Sequence, residues 1–192
     1  MIDRFQVKGA GSSALVVIDV QTRMVQALAP KVVRRNVGNM ALLLEAARAL
    51  AIPILVTEHY PQGLGPTIES LGPLLAGART LEKIVFSGTG APGFREALRA
   101  TGREHIVLIG TETHVCVAQT ALDLLAEGYH VHVPSDAVLS RFTDDWQGGL
   151  AFMRQAGAVV TRTETLVFQW LERAGTEVFR RLSPRIKNRS AE

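Results

Sequence analysis

Short unbroken apolar runs alternate along this chain with longer segments whose apolar positions recur every three to four residues. Residues 14–18 (Ala-Leu-Val-Val-Ile) are apolar throughout, the mark of a parallel strand covered on both faces. Residues 31–50 then place Val33, Val37, Met40, Leu43, Leu44 and Ala47 on one stripe, as an amphipathic helix does. A second strand is predicted over 52–57, with Pro53 at its entry, where a missing N–H is tolerated. A Gly/Pro-rich loop runs from Tyr60 to Thr67, and irregular chain continues to Thr80. Further strands are predicted at 84–87, 106–109, 129–133 and 158–161, with helices over 94–100, from the region of Cys116 to Leu125, and over 144–155. Gly128 reads as a helix cap. This alternation predicts an α/β fold. We expect a three-layer, Rossmann-like, doubly wound and mostly parallel six-stranded sheet, with right-handed crossovers and helices on both faces. No repeat or linker interrupts it, so residues 1–192 read as a single domain. Pro184 is expected to end the last helix and leave a basic, loosely ordered tail over about 184–192.

Composition narrows the class. The residues are 47% hydrophobic and 20% charged, an ordinary globular balance. A single cysteine excludes an internal disulfide framework and a cysteine-based zinc cluster, and fits a reducing compartment. The opening Met1-Ile2-Asp3-Arg4 lacks the apolar core of a leader peptide, and no run is long enough to cross a membrane. A cytoplasmic location is expected. The net charge of +3 is concentrated at one end. Six cations from Arg173 to Arg189 face only Glu177 and Glu192, and they read as the solvated face of a terminal helix.

In a doubly wound sheet, ligands bind beyond the carboxyl ends of the strands. Asp19 follows the first run, Glu58 and His59 the second, and Ser87 ends the third with Lys83 just ahead of it. Thr111 to Cys116 follow the fourth, and Asp136 and Ser140 the fifth. Asp19, Lys83 and Cys116, from three separate segments, can meet at the mouth of the central strands. Cys116 is predicted in the first turn of a helix, where unpaired amides and the helix dipole favour the thiolate. No glycine-rich dinucleotide motif follows the first strand, which argues against a nicotinamide cofactor.

Three segments carry a resemblance: Val17-Ile18-Asp19-Val20-Gln21, Lys83-Ile84-Val85-Phe86-Ser87, and Gly110-Thr111-Glu112-Thr113-His114-Val115-Cys116-Val117. In that order and spacing they resemble the signature segments of the isochorismatase-like cysteine hydrolases. Residues 56–61, 63–67 and 122–125 resemble the isochorismatase-domain-containing branch, and the likeness covers roughly residues 12–172. It implies a hydrolase of small amide or ester-type substrates, acting on C–N bonds other than peptide bonds. Cys116 would form a thioester, Asp19 would act as acid and base, and Lys83 would hold Asp19 ionised and favour the thiolate. It further implies a non-proline cis peptide between Thr111 and Glu112, and an oxyanion hole from the amides of Glu112 and Cys116. Self-association as a dimer or tetramer follows from the same likeness.

Gln21, Tyr60 and Ser87 are candidates for the substrate pocket, with Phe86 and Trp146 as further aromatic walls. The nicotinamidase-type relatives bind a metal beside the same three residues. The matching loop here, Glu58 to Leu64, offers one histidine and one carboxylate, too few for a metal site. No metal and no cofactor is expected. His130 and His132 share one face of a strand and read as packed residues, and His114 is given no chemistry. The expected partner is a small-molecule substrate, with neither nucleic acid nor a membrane. Two alternatives stand beside the hydrolase. One is a catalytically silent member acting as a partner-binding module, encouraged by the glycines of residues 88–93. The other is a thiol redox enzyme, disfavoured because no resolving cysteine is present.

Overall fold

The computed structural model describes residues 5–7 and 9–189. Met1 to Arg4, over which no leader is expected, and residues 190–192 of the expected tail lie outside the described residues. In chain order the elements are β1 (Ser13–Ile18), α1 (Thr22–Gln26), α2 (Pro30–Ala49), β2 (Ile54–His59), α3 (Pro61–Leu64), α4 (Gly72–Leu75), β3 (Arg79–Lys83) and α5 (Phe94–Ala100). They continue with β4 (His105–Thr111), α6 (Ala118–Ala126), β5 (His130–Pro134), β6 (Val138–Leu139), α7 (Thr143–Gln155), β7 (Val159–Thr161), α8 (Thr163–Leu171) and α9 (Glu177–Lys187).

The strands pair in the order β3-β2-β1-β4-β5-β7, all parallel, and the two-residue β6 adds to the end of β4. The α/β architecture is therefore as expected, with β6 as an unforeseen seventh strand. Strand order reverses between β1 and β4, so the crevice beyond their carboxyl ends is the switch point of the sheet. β1 and β4 are buried along their whole length, which is why their sequences are apolar without alternation. Side chains leave them alternately to two cores. Leu15, Val17, Val107 and Ile109 pack under α2, α8 and α9. Val16, Ile18, Ile106 and Leu108 pack with Phe94, Leu98, Val117, Ala121 and Met153 of the opposite layer.

Two expectations need correction. The third strand is Arg79–Lys83, not 84–87. β3 is an edge strand in which only Leu81 and Lys83 are buried, so it has the polar alternation of a half-covered edge. The apolar residues that follow are exposed bends, with Ile84 at 80%. The basic end is likewise not loose over 184–189. Pro184 lies inside α9, on its exposed side, while Leu182 and Ile186 are buried against the core. Arg185 forks onto Glu45 of α2 at 3.0 and 2.8 Å. Arg189 bonds Asp136 at 2.7 Å and Asn39 at 3.0 Å. Asp136, itself buried, in turn accepts from the amide and hydroxyl of Thr163 at the start of α8. Burial of one face and these ion pairs outweigh the hydrogen bond lost at the proline.

Candidate active site

Asp19 follows β1 directly with a left-handed backbone, φ 49°, a conformation aspartate tolerates better than most residues. Its amide donates to the Thr57 carbonyl at 3.1 Å. Thr111 Oγ1 donates to its carbonyl at 2.6 Å. Its carboxylate is filled from two sides, by Thr57 Oγ1 at 2.7 Å and by Lys83 Nζ at 2.5 Å. Lys83 is the last residue of β3 and also donates to the Phe86 carbonyl at 2.9 Å. Both charged side chains are inaccessible to solvent. Such a pair persists in the interior because each charge has a partner and further hydrogen bonds. The Cys116 thiol, 3% exposed, is within hydrogen-bonding reach of both Asp19 and Lys83.

The segment carrying Cys116 is shaped by close backbone approach. Gly110 has φ 127°, and a Cβ there would lie 2.0 Å from the Ile18 carbonyl oxygen, so only glycine lets β1 and β4 close together at this level. The Thr111–Glu112 peptide bond is cis. Residues Thr113–Val117 then form a π-helical turn before α6. The Glu112 carbonyl takes the amides of Val115 and Val117, passing over that of Cys116 between them. The turn is braced from outside by α7, where a Cβ on Gly149 would meet the His114 backbone at 2.9 Å.

The electrostatics differ from the expectation of a standing thiolate. The thiol is pushed up to about 12, first by burial and then by the negative charge of Asp19, with Lys83 pulling the other way. Cys116 sits in the π-turn ahead of α6 and not in an α-helical first turn, and burial dominates over any dipole effect. The resting group is a neutral thiol beside a carboxylate. His59, at the end of β2, is held below its usual value by burial and by Lys83. Its ring lies 5.5 Å from that of Phe86, and its Nδ1 is buried without a partner among the described residues.

The proposed pocket residues divide. Tyr60 is exposed and lines, with Pro61, Lys83, Ile84 and Val85, a surface cleft of about 420 Å³. Gln21 is buried, and its amide ties the β2 end to the following loop through His59 and Gly65. Ser87 donates to Asp123 of α6 at 2.6 Å, and Thr89 donates to the same carboxylate. With Gly88 N bonded to Thr120 Oγ1, and Thr120 Oγ1 to the Cys116 carbonyl, the glycine-bearing segment is fastened to α6 and is not loose. Trp146 donates to the Ser135 carbonyl and faces a different cleft, beside Val138 and Ser140. Among the described residues, no group of three or more His, Cys, Asp or Glu side chains is placed to hold a metal ion.

A match to the isochorismatase domain family spans residues 13–165. The chain belongs to the isochorismatase family. Isochorismatase domain-containing protein 2 of Bos taurus is 37% identical over 94% of this chain and 85% of its own length. Among solved structures, the protein described as MAR1 ribonuclease from Caenorhabditis elegans superposes with a TM-score of 0.88 at 33% identity, covering 96% of this chain and 94% of that one. N-carbamoylsarcosine amidase from Thermoplasma acidophilum gives 0.68 at 30% identity, over 80% of this chain and 97% of its own.

Within this isochorismatase fold, sequence reasoning missed the hydroxyls that fix Asp19, Thr57 altogether and Thr111 except as a member of the cis peptide. Thr57 and Thr111 are buried hydroxyls that follow the apolar runs of β2 and β4, a placement that signals a buried polar acceptor nearby. Thr120 and Asp123 sit one turn apart on α6, on the side that meets the 87–89 segment, but nothing in their helix names that partner.

Proposed function

We propose that the protein is a cysteine hydrolase of small, partly apolar amides or esters, with Cys116, Asp19 and Lys83 as its catalytic unit. The observation that carries this reading is a neutral, buried thiol in reach of a carboxylate that is fixed by Lys83 and Thr57. As sulfur attacks the acyl carbon, the thiol proton passes to Asp19. Asp19 gives it to the leaving nitrogen or oxygen as the C–N or C–O bond breaks, leaving a thioester. Asp19 then takes a proton from water as the water attacks, the C–S bond breaks, and the proton returns to sulfur. The high thiol value suits this order, because proton transfer accompanies attack. Lys83 keeps the carboxylate ready to accept. The amides of Glu112 and Cys116 are assigned to the developing oxyanion, where one such donor is worth about 2.7–4 kcal/mol.

A thiol this buried admits only a small group. The unpartnered Nδ1 of His59 offers a polar contact beside the Phe86 ring. Self-association belongs to the same proposal. Tyr60, Ile84, Val85 and Phe86 are all more than half exposed next to Lys83, an apolar patch of the kind that contact between copies covers. Turnover of a panel of small amides, carbamoyl compounds and esters, compared with Cys116→Ala, tests the chemistry. Cys116-dependent turnover with an acyl adduct on residue 116 by mass spectrometry is expected. No dependence on Cys116 for any of them overturns the hydrolase in favour of a silent binding module. The nematode relative's description favours a second reading, cleavage of a phosphodiester, and RNA breakdown abolished by Cys116→Ala would establish it instead.

A further inference from the structure

The fold brings together two sets of cations that are far apart in the chain. α2 carries Lys31, Arg34, Arg35 and Arg48 against one carboxylate, Glu45. α9 carries Arg180, Arg181, Arg185 and Lys187 against Glu177, and Arg189 follows. α9 packs along α2, so this face holds more positive charge than the whole chain's net +3, and the remaining surface is net acidic.

Two adjoining clefts run along the seam and share Arg185. One, of about 160 Å³, is lined by Arg34, Arg35 and Arg189 among others, and the next, of about 510 Å³, by Arg48 and Arg181. Among the described residues, Glu45 is the only carboxylate lining either. Arg185 and Arg189 are held in place by Glu45, Asp136 and Glu164, which fixes their planes. Arg34 and Arg181 are exposed and have no carboxylate partner among the described residues.

We propose that this seam binds the phosphodiester backbone of single-stranded nucleic acid, independently of base sequence. Every cation lining the two clefts, among the described residues, is an arginine, whose planar fork fits phosphate oxygens in pairs. Arg34 to Arg48 on α2 span about 21 Å at 1.5 Å per residue, room for several successive phosphates of one strand. Among the described residues, neither cleft is lined by an aromatic ring, so phosphate contacts dominate over base stacking. An anionic membrane fits less well. Interfacial helices insert apolar side chains, whereas Leu182 and Ile186 of α9 are turned into the core. The expectation of no nucleic-acid partner rested on the C-terminal charges alone, before α2 was seen to lie beside them. The proposal stands whichever bond Cys116 attacks.

Fluorescence anisotropy of the whole protein with labelled U12 RNA and T12 DNA, from 25 to 200 mM salt, tests it. Binding of both is expected, with log affinity falling linearly in log salt by about 0.7 per phosphate contacted. Arg34→Gln with Arg181→Gln is expected to weaken binding at least tenfold at low salt and flatten the slope by about 1.4. Arg34→Lys with Arg181→Lys is expected to keep the slope. Melting temperature and Cys116 alkylation of both variants should match the unmodified protein. No binding at 25 mM salt, binding unaltered by the glutamine pair, or tighter binding to phosphatidylserine vesicles than to either oligonucleotide overturns the proposal.

Discussion

Opposite ends of the sheet bury ionisable groups in contrasting ways. At the carboxyl end, Asp19 and Lys83 are charged, paired and surrounded by hydroxyl and carbonyl partners. At the amino end of β4, His105 lies beside His130 and His132 of β5, with rings 4.9 and 5.2 Å apart and His105 Nδ1 3.0 Å from His132 Nε2. His132 is pushed down to about 3, by burial first and then by its two neighbours, and its Nδ1 has no partner among the described residues. One end keeps its charges by compensating them, and at the other burial disfavours the charged form of His132. Burial alone therefore does not mark a reactive site. A compensated charge beside a nucleophile does, because it can accept a proton without first being desolvated.

The largest expected effect comes from Asp19→Asn. It removes the proton acceptor, and turnover should fall by roughly 10²–10⁴. The same change removes a charge that raises the Cys116 value, so iodoacetamide should alkylate the thiol faster at pH 8–9 than in the unmodified protein. Opposite signs in the two assays separate loss of the base from loss of fold, and parallel losses would refute the assigned role. Lys83→Ala leaves the carboxylate buried without its counter-charge. Urea unfolding should show a loss of about 3–5 kcal/mol, and alkylation of Cys116 should slow, since Lys83 lowers the thiol value. An unchanged unfolding midpoint would mean that the pair is not closed in solution.

The histidines give an effect confined to acid pH, with none expected at neutral pH. The unfolded chain takes up a proton at His132 near 6.5, whereas the folded chain does so only near 3. The stability this group contributes is therefore complete above about pH 6.5 and drains as pH falls toward 3, by at most about 1.4 kcal/mol per pH unit. His132→Val should flatten the acid side of the melting-temperature profile. A slope equal to that of the unmodified protein would place the acid response elsewhere.

What the sequence made legible follows from burial. β1 and β4 could be read because strands covered on both faces spell themselves in apolar residues. β3 could not, because an edge strand is half polar, and the apolar run beside it, Ile84 to Phe86, is exposed. The positions of Asp19 and Cys116 beyond strand ends were readable from topology, whereas Lys83, expected just ahead of a strand at 84–87, is the last residue of β3. The electrostatics of the three were not readable, since the rise of the thiol comes from desolvation and from Asp19, and both arise only when distant segments meet. Thr57, and the bond that Thr111 makes to Asp19, escaped notice because a hydroxyl in a strand is ordinary until its acceptor is known. α9 escaped because Pro184 is a local signal, while Leu182, Ile186 and the bonds of Arg185 and Arg189 are long-range.

The link from Arg189 to Asp136, and from Asp136 to Thr163, has a practical side. Clipping the chain only a few residues short would strip a counter-ion from a carboxylate more than fifty positions upstream, at the point where α8 begins. Expression designs should therefore retain everything through residue 189.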